Sequence, residues 1–201
     1  MPSIRLSRVL ALWLLMVTAS LVGCASLVGV QTLPSMLPAT WEARREMLQS
    51  WGRFDSYGRV AIAREGEGFS GSWRWAQRAK RATLELDGPL GVGGLRLDFD
   101  SEGAVDEASR LALEQQLGFV LPIESLRYWM LGVPDPREGV EERVASDAAR
   151  LDSLQQKGWM VTFKNYAPVP GGDYELPQRI EATRESLRVR LVIEGWRGGA
   201  R

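Results

Sequence analysis

Histidine is absent from this 201-residue chain, which removes the usual general base and the commonest metal ligand. Cysteine occurs once, at Cys24, so no disulfide can close within the chain. An excess of charge is lacking too: 25 basic residues face 25 acidic ones, and the basic footprint expected of a nucleic-acid binder is missing. Catalysis would then need paired carboxylates or a Ser-Lys arrangement. The carboxylate pairs Glu65/Glu67, Asp98/Asp100 and Glu141/Glu142 fall in turns or on polar strand faces, where charge serves solubility. Gly91, Gly93 and Gly94 precede a strand pattern, whereas a phosphate-binding loop leads into a helix N-terminus. The sequence therefore predicts no enzyme, no metal site and no bound cofactor.

What is present begins with a leader. Arg5 and Arg8 precede an apolar run from Val9 to Val17, then Leu21-Val22-Gly23-Cys24, with no acidic residue before the cysteine. The run is too short to span a bilayer and reads as a secretory signal over residues 1–23 that ends in a lipobox. Cys24 is the predicted lipidation site, carrying S-diacylglycerol and an N-acyl chain. Each buried methylene contributes about 0.8 kcal/mol, so several chains make a permanent anchor. Ala25, where an aspartate commonly retains lipoproteins at the inner membrane, favours the outer membrane and a periplasm-facing protein. Without Arg5 and Arg8 the exported part has 23 basic residues against 25 acidic ones. Residues 24–40, with Pro34 and Pro38, read as a tether, and residues 41–197 as one domain.

Tryptophan is abundant in that domain: seven of the eight (Trp41, Trp51, Trp73, Trp75, Trp129, Trp159, Trp196) lie beyond Cys24. Thr40 can cap a helix that starts at Trp41 and ends before Gly52. Strand alternation marks Tyr57 to Ala63, Phe69 to Trp75, Thr83 to Asp87 and Leu95 to Phe99. Ala108 to Leu117 fits a helix. A better-defined one follows Pro122, with Ile123, Leu126, Trp129 and Met130 at helical spacing, and Gly132 and Pro134 stop it. Strand patterns resume over 150–154, 159–166, 179–183 and 186–196. A sheet of this size tends to curl, and short helices across one face give a mostly β (α+β) fold: an incomplete antiparallel β-barrel of about ten strands with a short-helix lid over an apolar cavity. Inward-facing tryptophans either fill such an interior or line it; Trp75, Trp129, Trp159 and Trp196, from both sheet and lid, are candidates to surround one volume.

The loop Asp87-Gly-Pro-Leu-Gly-Val-Gly-Gly94 interrupts the meander. Its glycines leave Leu90 and Val92 little local surface to cover them. A plain hairpin turn and an outward-pointing apolar tip both fit.

These residues resemble the LolB family of outer-membrane lipoprotein receptors. The resemblance covers Trp41 to Trp196 and rests on the lipobox, Gly58-Arg59-Val60-Ala61, Trp73-Arg74-Trp75, Gly88-Pro89-Leu90-Gly91, the segment from Leu121 to Pro134, and Gly158-Trp159-Met160-Val161. It implies an open barrel similar to that of the periplasmic carrier LolA, with a helical lid over an apolar cavity. It further implies a monomer that accepts triacylated lipoproteins from the carrier and places them in the inner leaflet of the outer membrane, without nucleotide. On this resemblance Leu90, flanked by Pro89 and Gly91, matches the membrane-insertion loop. Trp75, Trp129, Trp159 and Trp196, with Leu126 and Met130, match the acyl-chain cavity. The glycine-rich Val92-Gly93-Gly94 continuation departs from the family pattern. A rival reading is a structural or assembly lipoprotein whose solid-cored β domain binds other envelope proteins.

Overall fold

The computed structural model describes residues 40–89, 94–100, 107–117, 121–146, 149–170 and 174–197. A nine-stranded antiparallel sheet forms the body: β1 (Arg53–Arg64), β2 (Glu67–Arg78), β3 (Arg81–Asp87), β4 (Leu95–Asp100), β5 (Glu141–Val144), β6 (Leu151–Gln156), β7 (Trp159–Pro168), β8 (Glu175–Arg184) and β9 (Leu187–Arg197). Its spatial order is β4-β3-β2-β1-β9-β8-β7-β6-β5. Every neighbour is a hairpin partner except β1 and β9, which join the two ends of the domain and tie an N-terminal arm of four strands to a C-terminal arm of five.

The described residues form nine strands, close to the expected ten, and β4 and β5 end the sheet without pairing to each other, so it is open as an incomplete barrel requires. Strand β5, absent from the sequence reading, is Glu-Glu-Arg-Val; it has no apolar alternation, and its register with β6 shifts between Arg143 and Val144.

Alternation puts one face of the sheet inside. Along β1 the buried positions are Phe54, Ser56, Gly58, Val60 and Ile62, with exposed or half-buried residues between them. Trp73 and Trp75 of β2, Leu84 and Leu86 of β3, and Leu187, Val189, Leu191 and Ile193 of β9 continue that face. At Gly58 the β1–β9 register shifts, and a Cβ there would run into the carbonyl of Val192, so only glycine lets the strands approach.

Helix α1 (Trp41–Gln49) is capped as the sequence predicts: the Thr40 hydroxyl accepts from Ala43 N at 3.3 Å. Trp41, Arg44 and Leu48 are buried. Arg44 donates to the carbonyl of Glu175, while Trp41 Nε1 and Arg45 Nη1 donate to Glu142 at 2.7 and 3.0 Å, so α1 links β8 with β5. Helix α2 (Glu107–Leu117) exposes Leu111 and carries the pair Arg110–Glu107. Helix α3 (Ile123–Met130) is buried along almost its whole length. Gly132 ends it at φ 74°, where a Cβ would sit 3.0 Å from the Tyr166 hydroxyl. No helix among the described residues is long and apolar enough to cross a membrane.

Candidate functional site

Between α3 and the inner face of the N-terminal arm lies a pocket with an entirely apolar lining. Val60 and Ile62 come from β1, Trp73 and Trp75 from β2, Leu84 and Leu86 from β3, Val189 and Leu191 from β9, and Leu121, Leu126 and Met130 from α3 and its lead-in. Both indole N–H groups are satisfied away from this lining, that of Trp73 by the Arg59 carbonyl and that of Trp75 by Gln77 Oε1, each at 3.1 Å. The pocket therefore asks for no hydrogen bond from an occupant. Its volume is about 20 Å³, room for roughly one water-sized sphere. A fatty chain enters only if the walls part.

The opposite side of α3 is bound to the C-terminal arm by buried polar groups. Trp129 Nε1 donates to Gln156 Oε1 at 3.1 Å, and the same oxygen accepts from Asp135 N at 3.0 Å. The Gln156 amide returns hydrogen bonds to the carbonyls of Asp135 and Glu138 at 2.9 and 3.2 Å. Ser125 Oγ donates to Asp135 Oδ2 at 2.9 Å, and the Arg137 guanidinium grips both Asp135 oxygens at 2.8 Å. Burial would push the Asp135 carboxyl up, but the bonds from Arg137 and Ser125 outweigh it and hold the group below the usual carboxylate range. Arg127 donates to the Trp51 carbonyl at 2.8 Å, and burial lowers its pKa. Lys157 reaches Glu124 at 3.2 Å from outside. Apart from Arg127 Nε, which is buried without a partner, the network is satisfied, and it fixes α3 in place.

The residues singled out from the sequence separate into groups. Trp75, Leu126 and Met130 line the pocket. Trp129 and Trp159 do not; they pack together with ring centroids 6.2 Å apart beside Gln156. Trp196 packs against Phe54 at 5.6 Å, also off the pocket. Pro89 is exposed at the rim of a separate open groove on the outer face of the sheet. Cys24, Leu90 and Gly91 lie outside the described residues.

Sequence reasoning left out most of the lining. Trp73 shares the parity of Trp75, and Leu84 and Leu86 stood in a recognised strand, so alternation carried that signal. Only the fold shows that the register pairs Trp73 with Leu86 and Trp75 with Leu84 and that all four line one pocket with Leu126 and Met130. Gln156 and Asp135, polar residues in polar surroundings, gave no such signal.

The profile of the family described as outer membrane lipoprotein LolB matches residues 52–196. The outer-membrane lipoprotein LolB of Halorhodospira halophila is 35% identical over 184 residues, covering 87% of this chain and 88% of that one. That of Pseudomonas aeruginosa is 35% identical over 191 residues, covering 89% and 91%. The match spans both arms of the sheet and the helix between them, and the chain belongs to the LolB family of outer-membrane lipoproteins.

Proposed function

We propose that this outer-membrane, lipid-anchored protein accepts acylated lipoproteins from a LolA-like periplasmic carrier and delivers them into the inner leaflet of the outer membrane, holding their acyl chains in the pocket under α3. The observation that carries this reading is a wall of eleven residues that turns no polar atom into the pocket. Each exposed acyl chain costs about 10 kcal/mol in water, so chains move only between apolar hosts. A receptor that binds them better than the carrier and worse than the bilayer passes cargo downhill without nucleotide. Cys24 is the anchor, and Leu90, beside Pro89 and Gly91, touches the leaflet during release.

The polar clamp decides which wall moves. Displacing α3 would strand the Trp129 indole N–H and the Ser125 hydroxyl, which give up Gln156 and Asp135, at about 1–3 kcal/mol each. Opposite α3, the part of the wall carried by β2 and β3 leads to the edge strand β4, and the lining it shares with α3 across the pocket is apolar throughout. In this reading α3 is a fixed wall and the N-terminal arm yields.

The small pocket volume favours a second reading, a solid-cored assembly lipoprotein. Leu126→Trp separates the two by filling the pocket. On the transport reading, uptake of a labelled lipoprotein from the carrier falls at least tenfold, while overpacking shifts stability by about 1–3 kcal/mol. Uptake equal to the wild type's would reject the pocket as the acyl site.

A further inference from the structure

The outer face of the sheet is mostly neutralised by ion pairs. On the N-terminal arm Arg74 pairs with Glu85 and Asp87, Arg96 with Glu85 and Asp98, and Arg78 with Asp55. One stretch carries more cations than carboxylates. Along β2, β1, β9 and β8, an open groove of about 640 Å³ runs from Gly88 and Pro89, just past β3, to Arg179. Its floor is made of short side chains, Ala61, Ser70 and Ser72 among them. Gly71 belongs to it as well, and a Cβ there would collide with the Asp87 carbonyl.

Arg59, Arg179 and Arg190 stand in the lining and no carboxylate does. Glu194 and Glu181 pair with Arg59 and Arg190 at 2.6 and 3.2 Å from outside the lining, and Arg59 remains 71% exposed. Lys164 also engages Glu181, at 3.0 Å, so that one carboxylate is shared by two cations, with Arg179 acting on it as well. The groove is therefore a cationic trough with a floor of small residues. Its volume lies in the range of small-molecule sites, about 300–1,000 Å³.

We propose that this groove binds the phosphate of an anionic phospholipid headgroup at the membrane surface. Guanidinium groups take phosphate oxygens in paired hydrogen bonds, and the small floor residues let a glycerophosphate approach the backbone. One wall is the Gly88-Pro89 entry to the loop assigned above to leaflet contact; the orientation this implies rests on that proposed function. Because Gly88 and Pro89 line the groove and lead into that loop, leaflet contact by the loop would bring the groove's arginines near the headgroups, where basic residues are drawn to an anionic leaflet. Bound headgroup would fix the tilt of the sheet over the leaflet, a constraint that a lipid tether alone does not impose.

Full-length protein in neutral detergent is titrated with sn-glycero-3-phosphoglycerol, which has no acyl chains and so does not report on the pocket. The readout is the NMR shift of the arginine Nε–H signals. Saturable shifts at Arg59, Arg179 and Arg190, with Arg74 and Arg96 unmoved, are expected. The Arg179→Gln/Arg190→Gln variant should bind about tenfold more weakly, and Glu181→Gln/Glu194→Gln, which removes the competing carboxylates, more tightly. Absence of saturation, equal shifts at Arg74 and Arg96, or an equal response to inorganic phosphate or to sn-glycero-3-phosphocholine would overturn the assignment. Lipoprotein uptake by the Arg179→Gln/Arg190→Gln variant should match the wild type's, so failure of the groove and failure of the acyl pocket are read separately.

Discussion

The two arms of the sheet bury tryptophans to opposite ends. In the C-terminal arm Trp159 packs at a tilt against Trp129 of α3, and Gln156 holds the Trp129 indole N–H, so ring contact is locked by polar groups. In the N-terminal arm Trp73 and Trp75 turn their N–H groups to partners within their own sheet and leave α3 facing hydrocarbon. Buried aromatic area alone does not distinguish a core from a lined pocket. The difference lies in whether hydrogen bonds cross the interface with the covering helix: they do in one arm, and the pocket lining of the other supplies none.

The largest effect should come from Trp159→Ala. It leaves a void in the solid arm, and we expect a loss of about 3–5 kcal/mol in denaturant unfolding, with fatty-acid affinity of the folded protein unchanged. Acyl binding reduced as much as by Leu126→Trp would erase the distinction between the arms.

Asp135→Asn tests the lock. Removing charge-assisted bonds from Arg137 and Ser125 should cost about 1.5–3 kcal/mol at neutral pH. The Asp135 pKa is depressed in the folded protein. Its contribution is therefore complete above the ordinary carboxylate value near about 3.9 and is lost as pH falls through the lower folded value. Thermal melts at neutral pH and near pH 3 should show the gap between wild type and variant narrowing in acid; a gap that widens there would reverse the assignment.

The mildest change, Ile62→Val, removes one methylene from the pocket wall. It should cost about 0.5–1.5 kcal/mol and raise affinity for a fluorescent fatty acid, since the occupant has less wall to displace. Weaker binding would mean that the pocket is core.

The Thr40 cap, the Pro122-to-Gly132 helix and the alternating strands were legible because each is written in local spacing. Gly58 was legible as part of a motif, but its reason, the Val192 carbonyl, belongs to a strand more than a hundred residues away. Strand β5 escaped because its side chains serve α1 through Glu142 rather than the apolar core. The split among the tryptophans escaped for a related reason. Trp75 and Trp159 have the same local pattern, and only the partner across the sheet or helix decides whether each lines or fills.

One consequence follows from the open ends of the sheet. A chain tethered to a membrane meets copies of itself at high local density, and bare strand edges would let them zip together. Strand β4 presents Arg96, Asp98 and Asp100 on its outer face, while at the far end Trp41 and Arg45 clip α1 over β5. Neither end of the described sheet therefore offers a bare apolar edge to a strand from a neighbouring molecule.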